Sequence, residues 1–336
     1  MELGKFPAAL LERLLAKGRT EDPRVLLGPR VGEDAAIIDM GRQLLVAKSD
    51  PVTFATDLIG WYAVQVNAND VACCGGTPRW FLATLLIPER FSEGEAEEIF
   101  DQVLEACRSL NVALVGGHSE VTRGIDRPIV MGTMLGEVHP DRLVRTGGAQ
   151  EGDSIVLTKG IAIEGTALLA RDCGDALRRA GVPQPVIDRA STFLVNPGIS
   201  VVTDCRIAVA AARVHSLHDP TEGGLITGLR EVARASGLGL AIEEGSLPVL
   251  PQCQTICQAL GLDPLGLLAS GALLITLAAG DVPALLSALG REGIVGWEIG
   301  QILAPEEGLI MIGAQGEVPL PEFHRDELAR YFSGLR

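Results

Sequence analysis

Two runs of alternating strand-like and helix-like apolar pattern, separated by one turn-rich break, constrain this chain more than any single motif does. In the first run, AAIIDM and QLLVAKS flank Gly41-Arg42 and predict a hairpin. A helical pattern covers about 57–73, and RWFLATLLIP predicts a strand. Ser92 with Glu95 matches a capping box opening a helix to about 110. VALVGG and RPIVMGTMLGEV follow as strands. Ahead of them, residues 6–17 place Leu10, Leu11, Leu14 and Leu15 on one helical stripe, with Gly18 as its stop. The stretch from His139 to Gly152 is rich in turn formers and lacks apolar period. The pattern then restarts with the strand SIVLTKG and helical segments to about 212. HSLHD is short and extended, and TEGG opens a helix to about 235. LGLAIEE, GALLITLAA and IVGWEIGQIL read as strands, and 250–260, 282–292 and 321–332 as helices. The expected fold class is α/β (α+β), in two domains of similar size, 1–148 and 149–336.

Composition narrows the partners. Lys plus Arg is 28 against 43 Asp plus Glu, a net charge of −15, which disfavours a nucleic-acid backbone as ligand. Small phosphates stay open, because a divalent cation can bridge them to carboxylates. No run reaches the ~18 apolar residues of a membrane span, and MELGKFPAALLERLL lacks the pattern of a secretory leader. The 7 cysteines are an odd number spread along the chain, so a reducing cytoplasm is expected rather than a disulfide framework. No membrane and no nucleic-acid partner is expected.

Several acids stand where apolar segments end. Asp34 precedes AAII, Asp50 follows LLVAKS, Asp70 lies late in the helix WYAVQVNANDVACC, and Asp219 follows HSLH. Asn67, three residues before Asp70, can share its helix face. Carboxylates beside apolar segments are costly unless paired or bound to a cation. Several of them around Mg²⁺, with phosphates completing its shell, would be natural chemistry. Taken singly, each reads first as an ordinary cap or turn residue. In His218-Asp219-Pro220-Thr221-Glu222-Gly223-Gly224, Thr221 can cap the next helix, and the glycines would leave its first turn bare for an anion. A plain capped helix start is the alternative. Gly116-Gly117 at the end of VALV permits close approach of a backbone to a ligand, or makes a simple turn.

Absences also decide. There is no G-x-x-x-x-G-K-[ST], and Thr158-Lys159-Gly160 is too short to replace it. No G-x-G-x-x-G follows a strand. Cys253 and Cys257 fall one turn apart on an expected helix, where packing explains them better than a metal.

The ordered series GEDAAI, SD, ND followed by GG-x-P, GGHSEV and HDPTEGGL resembles the aminoimidazole ribonucleotide (AIR) synthase superfamily, from about residue 25 to 315. Its members include AIR synthase, selenophosphate synthetase, thiamine-monophosphate kinase and the hydrogenase maturation protein HypE. The resemblance implies a two-domain AIR synthase-like fold whose N-terminal sheet domain forms a homodimer, with ATP and Mg²⁺ as cofactors. It implies Asp34, Asp50, Asp70 and Asp219 as metal ligands, the last reaching the same cleft from the C-terminal domain in family members. Asn69, His118, Ser119, Thr221, Gly223 and Gly224 fall on nucleotide-contacting motif positions, and Lys48 is placed to meet a phosphate.

The implied activity is phosphoryl transfer to an oxygen, of an amide or carbonyl, on a small molecule or a protein-bound acceptor. The general pattern is HypE-like. It departs from HypE in that no cysteine follows Cys257. A thiamine-monophosphate-kinase-like or selenophosphate-synthetase-like kinase, or an ATP-binding maturation factor without catalysis, is the alternative. Ile163-Glu164-Gly165-Thr166-Ala167 is expected near the acceptor.

Overall fold

The computed structural model describes residues 8–17, 22–52 and 57–334. The chain forms two compact units. In chain order it runs α1 (Ala8–Leu15), β1 (Val25–Leu27), β2 (Ala36–Asp39), β3 (Leu44–Val52), α2 (Ile59–Cys73), β4 (Thr77–Pro88), α3 (Glu93–Ser109), β5 (Ala113–Thr122) and β6 (Ile129–Val138). The expected start of the first helix at residues 6 and 7, and its stop at Gly18, lie outside the described residues. One unit holds β1–β6, α2 and α3. The other holds everything from Val144 on, together with α1 and the Pro29–Glu33 segment.

The first unit is a six-stranded sheet in the order β1-β2-β3-β6-β4-β5. β4 and β5 are its parallel pair, and the intervening α3 is the crossover such a pair needs. Ser92 and Glu95 make the predicted capping box at the start of α3. α2 packs against α3 and the sheet and is buried on almost every side, with Tyr62, Val64 and Val71 beside Gln65, Asn67, Asn69 and Asp70. Buried polar groups of this number cost free energy unless they are paired, so this helix is where a site is to be sought.

β5 differs from the sequence reading. The strand does not end at Gly116-Gly117 but continues to Thr122. Gly117 has a φ of +147°, and a Cβ there would stand 1.8 Å from the Ala83 carbonyl oxygen of β4. The β4–β5 register slips between Phe81 and Leu82, immediately before this contact. The close approach that requires glycine is therefore made to the neighbouring strand.

The second unit continues with β7 (Asp153–Thr158), α4 (Ile163–Asp172), α5 (Gly174–Arg179), α6 (Gln184–Ser191), α7 (Val202–Ala211), β8 (Val214–His218), α8 (Gly224–Ser236), β9 (Gly239–Glu243), α9 (Pro251–Leu260), β10 (Leu274–Ala278), α10 (Val282–Arg291), β11 (Gly296–Leu303), β12 (Leu309–Gly313), β13 (Gly316–Pro319) and α11 (Glu327–Gly334). Its seven-stranded sheet has the order β13-β12-β9-β11-β7-β10-β8. Ile155 and Leu157 of the fully buried β7 join Leu225, Leu229, Leu274, Ile299 and Ile302 in one core. The last helix begins at Glu327, later than the periodicity predicts, because the Asp326 carboxylate accepts the Leu328 N–H (2.7 Å) and starts it there. The stretch Leu194–Ala211 has the length and composition of a membrane span. Its backbone breaks at Asn196 (φ −143°, ψ 102°), however. The ten-residue α7 that follows is about 15 Å long, half of a ~30 Å bilayer core.

Candidate functional site

In the first unit, the alternation of β3 puts Lys48 and Asp50 on one face. Lys48 Nζ lies 3.2 Å from Asp50 Oδ2 and 3.3 Å from Asp70 Oδ1 of α2. Asp34, buried ahead of β2, adds a third negative charge. Burial alone would lower the Lys48 pKa. The fields of Asp70, Asp50 and Asp34 outweigh it and raise the value, so the ammonium stays charged. Three carboxylates gathered around one cation are a hard-oxygen donor set, which fits Mg²⁺.

Asn67 lies one turn before Asp70 on α2 and, as the helical spacing suggested, reaches β3 as Asp70 does. Its amide clamps the backbone of Asp50: Oδ1 accepts the Asp50 N–H (2.9 Å), and Nδ2 donates to the Asp50 carbonyl (3.2 Å) and to Ala63 O (2.8 Å). Gly132 of β6 pairs with Asp50 in the ladder. A Cβ on it would meet Asn67 Nδ2 at 2.5 Å and Phe81 at 2.6 Å. The missing side chain of β6 thus lets the amide reach β3 and hold Asp50 in place.

Asn69 is fully buried on α2. His118 and Ser119 sit on exposed β5, where His118 Nε2 lies 3.2 Å from Glu120 Oε2 and Thr122 donates to the same carboxylate (2.9 Å). The row Asp50–Gly132–Ala83–Gly117 crosses the sheet in register. Three inter-strand steps amount to about 14 Å. Within one chain, then, Lys48, Asp34, Asp50 and Asp70 come together, and His118 and Ser119 stand apart from them.

In the second unit, β8 ends at His218, whose Nε2 lies 3.0 Å from Glu231 Oε2 of α8. Buried Asp219 follows. Gly223 and Gly224 have φ of +82° and +70°, as a turn into α8 requires. Two expectations are corrected here. The N-cap of α8 is Gly223 rather than Thr221. The Thr221 carbonyl oxygen instead accepts the N–H groups of Gly224 (3.1 Å) and Ala269 (3.2 Å). The glycine pair does not leave its own N–H groups open either, because Gly224 donates to Thr221 O and Gly223 donates to Asp326 Oδ2 at 2.7 Å.

Asp326 has no local signal in the sequence, since it lies 103 positions from Gly223. Burial pushes its carboxyl up to about 6, against the N–H donors of Gly223 and Leu328, and Glu222 adds to the rise. Glu164, in the first turn of α4, is pushed up to about 7 by burial. A hydrogen bond with Ser270 opposes the shift, and Asp326, Glu222 and Asp219 reinforce it. The turn around Asp219 is therefore ringed by acids. The sequence singled out 163–167 as a segment but gave Glu164 no role of its own.

Two other motifs resolve as structural. Lys159 is tied to Asp204 (3.2 Å) and to Ser200 O (2.5 Å), with Thr158 donating to Asp204 (2.8 Å). Cys253 and Cys257 are buried with their sulfurs 3.9 Å apart.

Comparison with known proteins gives the same division. Residues 32–138 match the family described as AIR synthase related protein, N-terminal domain, and residues 150–312 match its C-terminal domain. Carbamoyl dehydratase HypE of Cupriavidus necator is 32% identical over 277 residues, 78% of this chain and 75% of that one. A solved HypE–HypF complex superposes with a TM-score of 0.74 at 21% identity, covering 94% of this chain and 100% of the other. HypE in complex with ATP gives 0.66 at 24% identity, covering 92% of each chain. With both domain matches in order, and with the sheets and turns that carry the motif series in place, the chain belongs to the AIR synthase related family.

Proposed function

We propose that the chain is an ATP- and Mg²⁺-dependent phosphoryl-transfer enzyme of the HypE kind, acting on the oxygen of a carbonyl or amide carried by a small molecule or a partner protein. The observation that carries this reading is the cluster of Lys48 with Asp34, Asp50 and Asp70. The HypE relative named for carbamoyl dehydration, and the HypE solved with ATP, support it. Phosphorylating such an oxygen turns a poor leaving group into phosphate. Bound Mg²⁺ would supply charge neutralisation for the polyphosphate.

In this reading Asp34, Asp50 and Asp70 hold the metal, and Asn67 fixes Asp50 for that task. Asp219, a buried carboxylate at a strand end, is a further ligand. Lys48 meets a phosphate oxygen. Asn69, Thr221, Gly223 and Gly224 shape the segments beside the nucleotide, Gly223 with its own N–H already engaged by Asp326. His118 and Ser119 contribute from β5. Glu164, a buried acid pushed up to about 7, is suited to exchange a proton with the acceptor near neutral pH. The test is titration calorimetry with a non-hydrolysable ATP analogue. Mg²⁺-dependent binding that Asp70→Asn and Asp219→Asn each abolish is expected. Binding indifferent to Mg²⁺ overturns the reading.

A homodimer belongs to the same proposal. β5 is an edge strand with eight of its ten residues exposed, among them Val115 and Val121. Such an edge seeks a partner strand, and a second copy is the occupant proposed. The solved HypE–HypF complex favours a protein-borne acceptor over a free one. Seven buried cysteines, none of them in a disulfide among the described residues, fit a cytoplasmic location.

A further inference from the structure

Lys48 is more than a phosphate contact in waiting. Its ammonium sits between Asp50 and Asp70, 3.2 and 3.3 Å from their oxygens, with four-fifths of its side chain buried. Both acids are held by rigid parts of the unit: Asp50 by the Asn67 clamp on its backbone, and Asp70 by the buried helix α2. A divalent ion taking oxygens from both acids at the ~2.1 Å of a Mg²⁺ bond needs the same lone pairs and the same space. It would also meet a like charge at close range. Metal and ammonium cannot both be satisfied there. Lysine has a long flexible stem and a compact charge, so it is the partner that can leave, provided another anion receives it.

We propose that Lys48 is a tethered cation that competes with the divalent metal for Asp50 and Asp70, so that the acids take the metal well only when a polyphosphate arrives to receive the ammonium. This rests on the metal and nucleotide roles proposed above. Its consequence is coupling. The phosphate draws Lys48 off the acids and opens them to the metal, and the metal by linkage favours the phosphate equally. The bare protein then does not hold free Mg²⁺ tightly, and the metal–nucleotide complex is the true ligand.

The probe is Mn²⁺ without nucleotide, read by electron paramagnetic resonance of the free ion. Lys48→Met is expected to bind Mn²⁺ at least tenfold more tightly than wild type, while Lys48→Arg, which keeps the charge, stays weak. In calorimetry at saturating Mg²⁺, Lys48→Met is expected to bind the ATP analogue about tenfold more weakly than wild type. Mn²⁺ affinity in Lys48→Met equal to or below that of wild type overturns the inference and leaves the proposed function standing if wild type still binds the Mg²⁺–analogue complex. If wild type binds neither Mn²⁺ nor that complex, the proposed function itself falls, and this inference with it. Wild type offers a reading that no folding defect can obscure. Reductive methylation of Lys48, followed by mass spectrometry, is expected to rise when millimolar Mg²⁺ is added alone and to fall again when the analogue joins it. Protection unchanged by bound metal overturns the inference.

Discussion

Asp326 Oδ2 accepts the backbone N–H of Gly223 at 2.7 Å, joining the turn before α8 to a segment 103 positions further along the chain. The other oxygen of the same carboxylate accepts Leu328 N–H at 2.7 Å. One buried side chain therefore starts α11 and ties down the residue that precedes α8. Removing it in Asp326→Ala leaves two backbone donors without their acceptor, at roughly 1–3 kcal/mol for each buried group. The expected outcome is a clear fall in the urea midpoint with an unchanged slope. Asp326→Asn, which keeps one strong acceptor, should lose about half as much.

Glu164 makes stability depend on pH in an unusual sense. Its folded value of about 7 stands above its ordinary 4.5, so the folded chain holds this proton more tightly than the unfolded one. The penalty for ionising it is absent below pH 4.5, grows as pH rises to 7 and is complete above that. Its full size is roughly 3 kcal/mol. Glu164→Gln is expected to be more stable than wild type at pH 8, with the difference vanishing near pH 4. Denaturant titrations at the two pH values check this.

The glycine pair of β5 separates into one required and one replaceable residue. Gly117→Ala places a Cβ 1.8 Å from the Ala83 oxygen at a φ of +147°, whereas the nearest atom to a Cβ on Gly116 is 4.0 Å away. Gly117→Ala is expected to cost 2 kcal/mol or more, by the roughly 1–3 kcal/mol of overpacking together with backbone strain. Gly116→Ala should lie within about 0.5 kcal/mol of wild type. Thermal unfolding of the two variants side by side decides it.

Asn67→Leu removes the clamp on Asp50 without touching a carboxylate. Buried donors and acceptors are orphaned, so a loss of roughly 2–4 kcal/mol is expected. The Mg²⁺-dependent part of nucleotide affinity should fall with it, because Asp50 is no longer held. A variant that is destabilised yet binds the Mg²⁺–analogue complex as wild type does would show that the clamp serves the fold alone.

A charge on the exposed strand tests the dimer. Val121→Glu on β5 is expected to shift the chain from dimer to monomer in light scattering behind size exclusion, with its far-ultraviolet circular dichroism intact. Like charges brought together across a new strand pair repel.

What could be read from the sequence had a period or a fixed local spacing. The capping box at Ser92, the alternation that puts Lys48 and Asp50 on one face, and the helix that buries Asp70 all leave such a trace. Contacts between a side chain and a remote backbone leave none. The spacing shows Asn67 as a neighbour of Asp70 on the helix, but not that its amide is spent on the Asp50 backbone. Asp326 sits in an ordinary polar stretch, and only the folded chain brings it to Gly223. The short β12–β13 hairpin was also hidden, because strands of five and four residues bounded by Gly308, Gly313 and Gly316 read as loop. At Gly116-Gly117 the composition was informative and the target was misread: the backbone that comes close is that of Ala83.

The membership of α1 in the unit built from the C-terminal half has a consequence for synthesis on the ribosome. Glu12 of α1 pairs with Arg234 of α8, 222 positions later. At about 5–20 residues per second, the helix leaves the exit tunnel some 10–45 s before its partner is made. Leu10, Leu11 and Leu15, half-buried in the finished protein, spend that interval uncovered on a growing chain. α1 is thus made well before the helix it docks against, and its leucine stripe is a segment of the nascent chain that a chaperone could usefully shield.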